Sequence, residues 1–442
     1  MRAYRTRTAA AVAAAATISI GALAGCAPGP SVGPNATYGP NPTLVDQAHG
    51  LIPVFKIAKV VGWPAGRTPV AAPDLKVAAF ATGLDHPRWT LALPNGDVLV
   101  AESDGPGYEK HSGIRGFAEK TLMKSAGAAN KSPNKIILLR DTNGDGVADQ
   151  RFVLLQNLNS PLGMALVGGR LYVANTDSIV SVPFTPGDTQ VTAAPVKLTD
   201  LPGGPIDHHW TKNIVPSADG TKLFASIGSN SNVGDNGPAA EVNRADILEV
   251  DIATGRWTVF AGGLRNPVGM DFEPATGALW TAVNERDELG DNLVPDYMTS
   301  VKPGAFYGWP YSYYGQHLDT RPKDRRPDLV AKAIAPDYAL GAHTASLGLA
   351  FSKGDLLPAA YRGGVFIGQH GSWNRSQPAG YKVIYVAFQN GKPVGYPRDV
   401  LTGFLDAKGQ AMGRPVGVTF DRAGALLVAD DVGGVIWRVT PK

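Results

Sequence analysis

The sequence predicts an all-β protein with the architecture of a six-bladed β-propeller. The chain has 442 residues, of which 53 are glycine and 35 are proline. Together these make up a fifth of the chain, against about 12% in an average protein. Short runs rich in Val, Leu, Phe and Tyr are separated by turns containing Gly or Asp-Gly, the pattern of β-hairpins. No segment shows a long helical period, and one hairpin unit recurs six times.

The repeated unit reads (Pro)-x-Gly followed by alternating apolar residues, a turn, and a second strand that ends in small or acidic residues. Comparable apolar positions of the six second strands are Leu99, Leu171, Leu223, Leu279, Val365 and Leu426. Their spacing of 52 to 86 residues suits four-stranded blades with loop insertions, since a bare blade takes about 40–50 residues. A pair of β-sandwiches would also contain alternating strands but would not explain six copies. We predict that residues 76–442 form one propeller.

The N-terminus has the order of a secretory signal peptide. Arg2, Arg5 and Arg7 precede an Ala-rich apolar run, and Leu-Ala-Gly leads to Cys26. This ending resembles the lipobox of bacterial lipoproteins, so residues 1–25 are predicted to be removed and Cys26 to be lipidated. An ordinary secreted protein is the alternative. Residues 26–75 are predicted to be a tether and N-terminal extension, and the protein is predicted to be exported and lipid-anchored to the cell membrane.

Composition excludes several other classes. A single cysteine forms no intramolecular disulfide, Cys-based zinc site or iron–sulfur cluster. The net charge of +3 disappears with the three leader arginines, which leaves no basic patch that would predict nucleic-acid binding. After Cys26 no run approaches the ~18 continuous apolar residues of a membrane helix. The lipid anchor is therefore the only membrane contact predicted.

One loop has the pattern of a calcium-binding turn. Acids or amides fill its first, third, fifth and ninth positions and glycine fills the sixth, as in the first part of an EF-hand loop. The predicted ligands are Asp141, Asn143, Asp145 and Asp149. The twelfth position is Phe152 where an EF-hand requires Glu, and strands flank the loop in place of helices. A polar hairpin turn is therefore the alternative.

A histidine pair, His208-His209, opens the third unit. Neighbouring side chains on a strand point to opposite sides, so at most one of the two rings is expected to face the propeller axis. An imidazole can act as a base near neutral pH. A purely structural histidine is the alternative.

Charged and aromatic residues mark the ends of three other units. Arg265 and Asn266 precede the Pro-Val-Gly of the fourth unit, and Arg414 holds the equivalent position in the sixth. Guanidinium groups at one rim can hold an anionic ligand, although structural ion pairs are the alternative. Residues 284–292 are dense in oxygen ligands and suggest a second cation site or a solvated loop. Residues 370–375 combine histidine, tryptophan, asparagine and arginine, an unusual composition for a plain turn.

Taken in order, these motifs resemble the soluble pyrroloquinoline-quinone (PQQ)-dependent sugar dehydrogenases, most closely the L-sorbosone dehydrogenase group. The resemblance extends over about residues 75–440. Its motifs are His86-Pro-Arg-Trp, Gly263-Leu-Arg-Asn-Pro-Val-Gly, Asn284-Glu-Arg-Asp-Glu-Leu-Gly-Asp, Tyr307-Gly-Trp-Pro, His370-Gly-Ser-Trp-Asn-Arg and Gly413-Arg-Pro-Val-Gly. It implies a six-bladed propeller with the quinone over the axial end.

The resemblance also implies roles for individual residues. His209, ten residues before Asp219, matches the histidine that takes the proton of the sugar hydroxyl while hydride passes to the quinone. The residues expected to hold PQQ are Arg265, Asn266, Arg414, Arg375 and Trp373. The family's second rim arginine is replaced here by Val416, and Arg375 is the candidate to supply that charge. Calcium is held largely by backbone carbonyls in the family, and the predicted ligand positions here are Glu285, Arg286, Asp287 and Asp291.

The predicted function is PQQ- and calcium-dependent oxidation of an aldose or sugar aldehyde, with electrons passed to an external acceptor. A calcium-dependent lactonase on a similar propeller is one alternative; it would need one axial metal ringed by Glu, Asn and Asp but no rim arginines. A propeller used only for binding is another, and it would leave His209 and Arg265 unexplained.

Overall fold

The computed structural model describes residues 29–48, 56–106, 127 and 131–442. Within them the chain forms six antiparallel sheets, which we number as blades 1 to 6 in chain order. Short additions are the ribbon of Ser312–Tyr313 and His317–Leu318, the helical turn Pro327–Val330, and the 3-10 turns Pro238–Glu241 and Ala359–Tyr361. In these parts of the chain no helix is long and apolar enough to cross a membrane. The predicted signal peptide and Cys26 lie outside the described residues.

The first three blades have four strands each, which follow one another in the chain from the innermost strand outward. Blade 1 consists of Pro87–Ala92, Val98–Glu102, Lys135–Arg140 and Gln150–Leu155. Blade 2 consists of Met164–Val167, Arg170–Ala174, Ser178–Pro183 and Val196–Asp200. Blade 3 consists of Lys212–Pro216, Lys222–Ile227, Asp246–Asp251 and Trp257–Gly262.

The last three blades incorporate strands from the N-terminal part of the chain. Blade 4 consists of Asn266–Phe272, Leu279–Asn284, Pro295–Ser300, Tyr338–Ala342 and Tyr38–Gly39. Blade 5 consists of Ser346–Phe351, Gly364–Gln369, Lys382–Gln389, Lys392–Thr402 and Val70–Ala71. Blade 6 consists of Pro415–Phe420, Leu426–Asp430, Val435–Pro441 and Leu75–Ala81.

The blades close into a ring around a central axis. Each inner strand contacts the inner strand of the next blade, and that of blade 6 contacts that of blade 1. Closure depends on Leu75–Ala81, which pairs with the C-terminal strand Val435–Pro441 and so joins both ends of the propeller in one sheet. The predicted six-bladed all-β fold is confirmed. Within the segment predicted as tether and extension, Tyr38–Gly39 and Val70–Ala71 cover the outer edges of blades 4 and 5.

The repeated glycine has a packing role at the axis. A Cβ on Gly417 would lie 2.7 Å from the carbonyl oxygen of Arg88 in the next blade, and a Cβ on Gly269 would collide with the backbone of Leu347–Leu349. At these two positions the inner strands approach closely because a side chain is absent. The six apolar positions aligned from the sequence all lie in the second strand of their blade and are buried.

Aliphatic side chains fill the axis beside these glycines. Leu162, Val268, Leu347 and Val416, from blades 2, 4, 5 and 6, belong to one buried apolar cluster. At the same end of their inner strands, blades 1 and 3 carry charged residues, Arg88 and Lys212.

The alternating strand directions give the propeller two distinct ends. Loops from the second to the third strand of a blade, and loops between blades, emerge at one end, which we name the upper face. Turns from first to second and from third to fourth strands emerge at the opposite end, the lower face. The long insertion at residues 301–337 starts at the lower end of blade 4. It then runs along blade 3 to the upper face. Phe306 forms a parallel β-bridge with Gly262, the last residue of the outer strand of blade 3.

Candidate active site

The structure brings most of the predicted site residues together on the upper face. His209 lies in the loop from blade 2 to blade 3, and Arg265 in the loop from blade 3 to blade 4. Arg414 directly precedes blade 6. Residues 285–291 and 373–375 belong to the loops between the second and third strands of blades 4 and 5. The motifs gather here because equivalent loops of successive blades open at the same end.

The loop 141–149 lies elsewhere, since it joins the third and fourth strands of blade 1 on the lower face. Its oxygens accept hydrogen bonds from the loop's own backbone. The carboxylate of Asp141 accepts from Gly144 and Gly146 at 2.8 Å, and Asp149 accepts from Thr142. The side chain of Asn143 accepts from the backbone N–H of Asp145, and the side chain of Asp145 accepts from that of Val147. This arrangement is that of a self-capped hairpin, and calcium binding there stays a prediction.

The histidine of the upper face has a defined tautomer. Nδ1 of His209 lies 2.9 Å from both the carbonyl oxygen and the hydroxyl of Ser229. The Ser229 hydroxyl donates its own hydrogen to the carbonyl of Ser231 at 2.7 Å. Both Ser229 oxygens therefore act as acceptors, which places the proton on Nδ1 and leaves Nε2 as the basic nitrogen. Among the described residues no hydrogen-bond partner is found for Nε2.

The surroundings of His209 keep it neutral. Burial, followed by the nearby charges of Arg265 and His208, lowers the pKa of His209 well below its ordinary value. The His208 ring packs edge-on against it, with ring centroids 4.6 Å apart. A Cβ on Gly228 would collide with the His209 side chain and with the amide oxygen of Asn266, so this glycine lets the two residues approach each other.

Arg265 donates hydrogen bonds to protein oxygens on several sides. Its guanidinium donates to the carbonyl oxygens of Asn232, Asn284 and Glu285, the last at 2.7 Å. It also donates to the side chains of Asn232 and Asp287 at 3.0 Å. Burial opposes ionisation of Asp287, but Arg265 and His343 outweigh it, and the pKa of that carboxyl is lowered. Arg265 therefore supplies fixed positive charge to the site while its own donors are committed to the protein.

The oxygens predicted as calcium ligands are paired with protein donors as well. The carboxylate of Glu285 accepts from Arg286 at 2.9 Å, and Arg286 also pairs with Asp319. The Asp287 carbonyl accepts from Arg321, and the Asp291 carboxylate accepts from Ser376. In the described ranges no group of three or more His, Cys, Asp or Glu is arranged to hold a metal. The side chains at these positions are therefore committed to protein donors, and calcium binding by their backbone carbonyl groups stays a prediction.

The two remaining predicted arginines have free hydrogen-bonding capacity. Arg375 donates to the side chain of Asn292 at 3.1 Å, and Arg414 donates to the hydroxyl of Tyr381 at 3.0 Å and lies over its ring. The Nε atoms of both are buried and have no hydrogen-bond partner in the described chain. Trp373, half-buried, accepts a backbone hydrogen bond from Lys56 and so contacts the N-terminal extension.

Sequence reasoning missed an ionic group on the same face. The carboxylate of Asp431 accepts from Arg88 at 2.8 Å and from His370 at 2.9 Å. Burial opposes its charge, but these neighbours hold the pKa of Asp431 well below its usual range. Burial lowers the pKa of His370, so we treat that ring as a neutral donor. Arg88 also lies over the ring of Trp210, next to His209. The signal in the sequence was the pair Asp430-Asp431, which ends the second strand of the last unit.

Buried polar atoms without partners are concentrated on this face. Within the described chain they include Arg88 Nε, Arg375 Nε, Arg414 Nε, Asn266 Oδ1 and Asn374 Oδ1. Buried polar atoms are normally paired, so such a group indicates a ligand or ordered water. Three guanidinium donors from blades 1, 5 and 6 fit an anion with several carboxylates. The residues present therefore fit a tricarboxylate quinone.

Comparison with protein families finds similarity to sugar dehydrogenases over part of the chain. Residues 173–373 match the family described as Glucose / Sorbosone dehydrogenase, and residues 312–442 match the family described as TrAA12-like. Each match covers less than half of the chain, and the resemblance to sugar dehydrogenases seen in the sequence is confirmed at that level.

Two relatives align with most of this chain. An uncharacterised protein of Borreliella burgdorferi is 29% identical over 341 residues, covering 73% of this chain and 87% of that protein. The pyrroloquinoline quinone-dependent pyranose dehydrogenase of Coprinopsis cinerea is 23% identical over 429 residues, covering 83% of this chain and 54% of that protein. The chain thus spans about half the length of this relative.

Solved structures show the same fold. The holo form of the PQQ domain of the Coprinopsis cinerea enzyme superposes with a TM-score of 0.68 at 20% identity, covering 87% of this chain and 100% of that domain. A calcium structure of a Trichoderma reesei enzyme of family AA12 gives the same TM-score and identity, covering 85% of this chain and 97% of that chain.

Proposed function

We propose that this protein is a PQQ-dependent dehydrogenase that oxidises an aldose or sugar aldehyde. The observation that carries the proposal is the group of buried, incompletely paired guanidinium nitrogens of Arg88, Arg375 and Arg414 around the upper face. It is supported by the sugar dehydrogenases among the relatives and structural neighbours. When bound, the quinone would supply the hydride acceptor, and the protein would supply orientation and a base.

The chain's own residues would divide this work between them. Arg88, Arg375 and Arg414 would bind the carboxylates, and Asn266 would offer its amide to the ligand. His209 would accept the proton of the sugar hydroxyl at Nε2, because Nδ1 is already protonated and held by Ser229. The low pKa of His209 keeps Nε2 unprotonated at neutral pH. The aliphatic residues at the axis would close the floor of the site to water.

Calcium is assigned no step in this mechanism. The Trichoderma reesei structure shows that a calcium form exists in a protein of this fold. In this chain, however, the oxygens predicted as ligands are paired with Arg265, Arg286 and Arg321. A calcium requirement is therefore left to measurement. The lactonase alternative depends on a ring of metal-binding side chains, and the described residues give it no support.

Location is the second part of the proposal. The N-terminal pattern supports export, lipidation of Cys26 and action at the outer side of the cell membrane, with electrons leaving to an external acceptor. Metabolic labelling with a fatty acid checks this directly. Label should appear in the wild-type protein and be lost in Cys26→Ala, and release of wild-type protein into the soluble fraction without label would contradict it.

Dye-linked oxidation tests the activity. Purified protein incubated with PQQ, with and without added calcium, should reduce a dye in the presence of at least one sugar in a panel of aldoses and sugar aldehydes. The same preparation without PQQ is the control. Absence of PQQ-dependent turnover on every sugar would refute the proposal.

A further inference from the structure

Lys212 is a fully buried lysine without an acidic partner. It is the first residue of the inner strand of blade 3, and its relative exposure is 0%. In the described chain no carboxylate lies within ion-pair distance of its amine. Burying an ammonium group without a counter-ion is costly, and most other blades place an aliphatic side chain at this end of the strand. A role other than packing would account for a lysine here.

The amine of Lys212 contacts the segment that carries the histidine. It donates to the carbonyl oxygen of Trp210 at 3.0 Å and to that of His209 at 3.4 Å. Arg244 also donates to the His209 carbonyl at 3.2 Å, and Thr176 donates to the Trp210 carbonyl at 3.0 Å. Of these three side chains, only Lys212 contacts both carbonyls. It therefore holds the two consecutive peptide planes that follow the histidine, with the shorter contact on the second of them.

The two constraints on His209 are complementary. Ser229 fixes the rotation of the ring through Nδ1, and the backbone contacts fix the position from which the ring extends. The backbone N–H of His209 also donates to the Ser229 carbonyl at 3.2 Å, so loosening the segment disturbs both constraints. A general base must lie within hydrogen-bond reach of the proton it removes, and a displacement of about 1 Å can cost about 100-fold in rate.

We propose that Lys212 is a positioning residue that holds the His209 segment so that Nε2 faces the substrate. This inference rests on the proposed function, because it assigns His209 the role of base. Loss of the amine leaves each carbonyl one other donor, Arg244 or Thr176. We therefore expect a Lys212 variant to fold while the histidine becomes less well fixed.

The test uses Lys212→Met, which keeps the length and loses the donors, and Lys212→Arg, which restores them. Lys222→Met is the matched control, because it removes a lysine from the second strand of the same blade, where the amine pairs with Glu249 on the lower side of the propeller. Hydrogen–deuterium exchange of peptides covering residues 207–211 is measured first. We expect exchange about tenfold faster in Lys212→Met, the factor expected for loss of a hydrogen bond to a charged group, and little change in the other two variants.

Steady-state kinetics with PQQ give the second measurement. In Lys212→Met kcat should fall by about 10- to 100-fold with KM within about twofold, and Lys212→Arg should recover most of the loss. Unchanged exchange in Lys212→Met, or equal loss of activity in Lys222→Met, would overturn the assignment. If the wild-type enzyme shows no PQQ-dependent turnover, the proposed function fails, and the exchange data still decide whether Lys212 fixes the segment.

Discussion

Burial of Lys212 should be visible as an unusual pH dependence of stability. Burial, and then the nearby Arg244, lowers the pKa of Lys212 to about 7 in the folded protein, whereas an exposed lysine titrates near 10.4. The unfolded chain therefore binds more protons than the folded chain between these two values. Stability should rise with pH across that window, and the cost of the buried charge should be fully present below about pH 7.

The size of the effect follows from the two pKa values. Proton linkage at this one group changes the free energy of unfolding by about 3 kcal/mol between pH 7 and pH 10. Lys212→Met removes the titration and the buried charge together. The free energy of unfolding of the wild type should therefore rise by about 3 kcal/mol more than that of the variant over this range. At pH 7 the variant should be the more stable protein.

Urea unfolding followed by tryptophan fluorescence at several pH values measures the difference. Lys222→Met is the matched control, because Lys222 is partly exposed, pairs with Glu249, and has a raised pKa. Its pH dependence should follow that of the wild type between pH 7 and pH 10. Parallel curves for wild type and Lys212→Met would refute the conclusion that the amine is desolvated in the folded state.

Three further predictions concern the upper face. His209→Gln should lower kcat by about 10²- to 10⁴-fold, the usual contribution of a general base, while calorimetry shows PQQ binding within about threefold of wild type; retained turnover would refute its role. Ser229→Ala should shift the acid limb of the kcat pH profile, because Nδ1 loses one of its acceptors, and an unchanged profile would contradict the tautomer assignment. Asp431→Asn should weaken PQQ binding about tenfold or more by releasing Arg88 and His370 from their shared partner, and unchanged affinity would show that this ionic group is not part of the site.

The sequence was sufficient for the fold because the propeller repeats a local pattern. Each blade contributes its own hairpin, and a glycine before the alternating residues lets inner strands pack closely, as at Gly269 and Gly417. Six copies of that pattern determine both the class and the number of blades. Closure by Leu75–Ala81 was not predictable in the same way, because its partner lies at the other end of the chain.

The position of the site on the fold was predicted better than the hydrogen-bond and ion-pair partners of its residues. His209, Arg375 and Arg414 were found because they stand at equivalent ends of repeated units, and the ring brings those ends together. The partners of Arg265 and Asp431 come from other blades, and a linear sequence does not show which loops become neighbours. The same reason explains Asp287 of the predicted cation site, whose carboxylate pairs with Arg265 and whose carbonyl accepts from Arg321, both distant from it in the chain.

A direct titration of the purified protein with PQQ tests the central claim, that the upper face is built to hold a multiply charged quinone. Isothermal calorimetry should give saturable binding of one PQQ per chain. Arg414→Met should weaken that binding by about tenfold or more, since one charge-assisted contact is lost. Arg422→Met, an exposed substitution in the first turn of blade 6 on the lower face, should leave it unchanged. Absence of saturable binding by the wild-type protein, or equal affinity of wild type and Arg414→Met, would contradict the account.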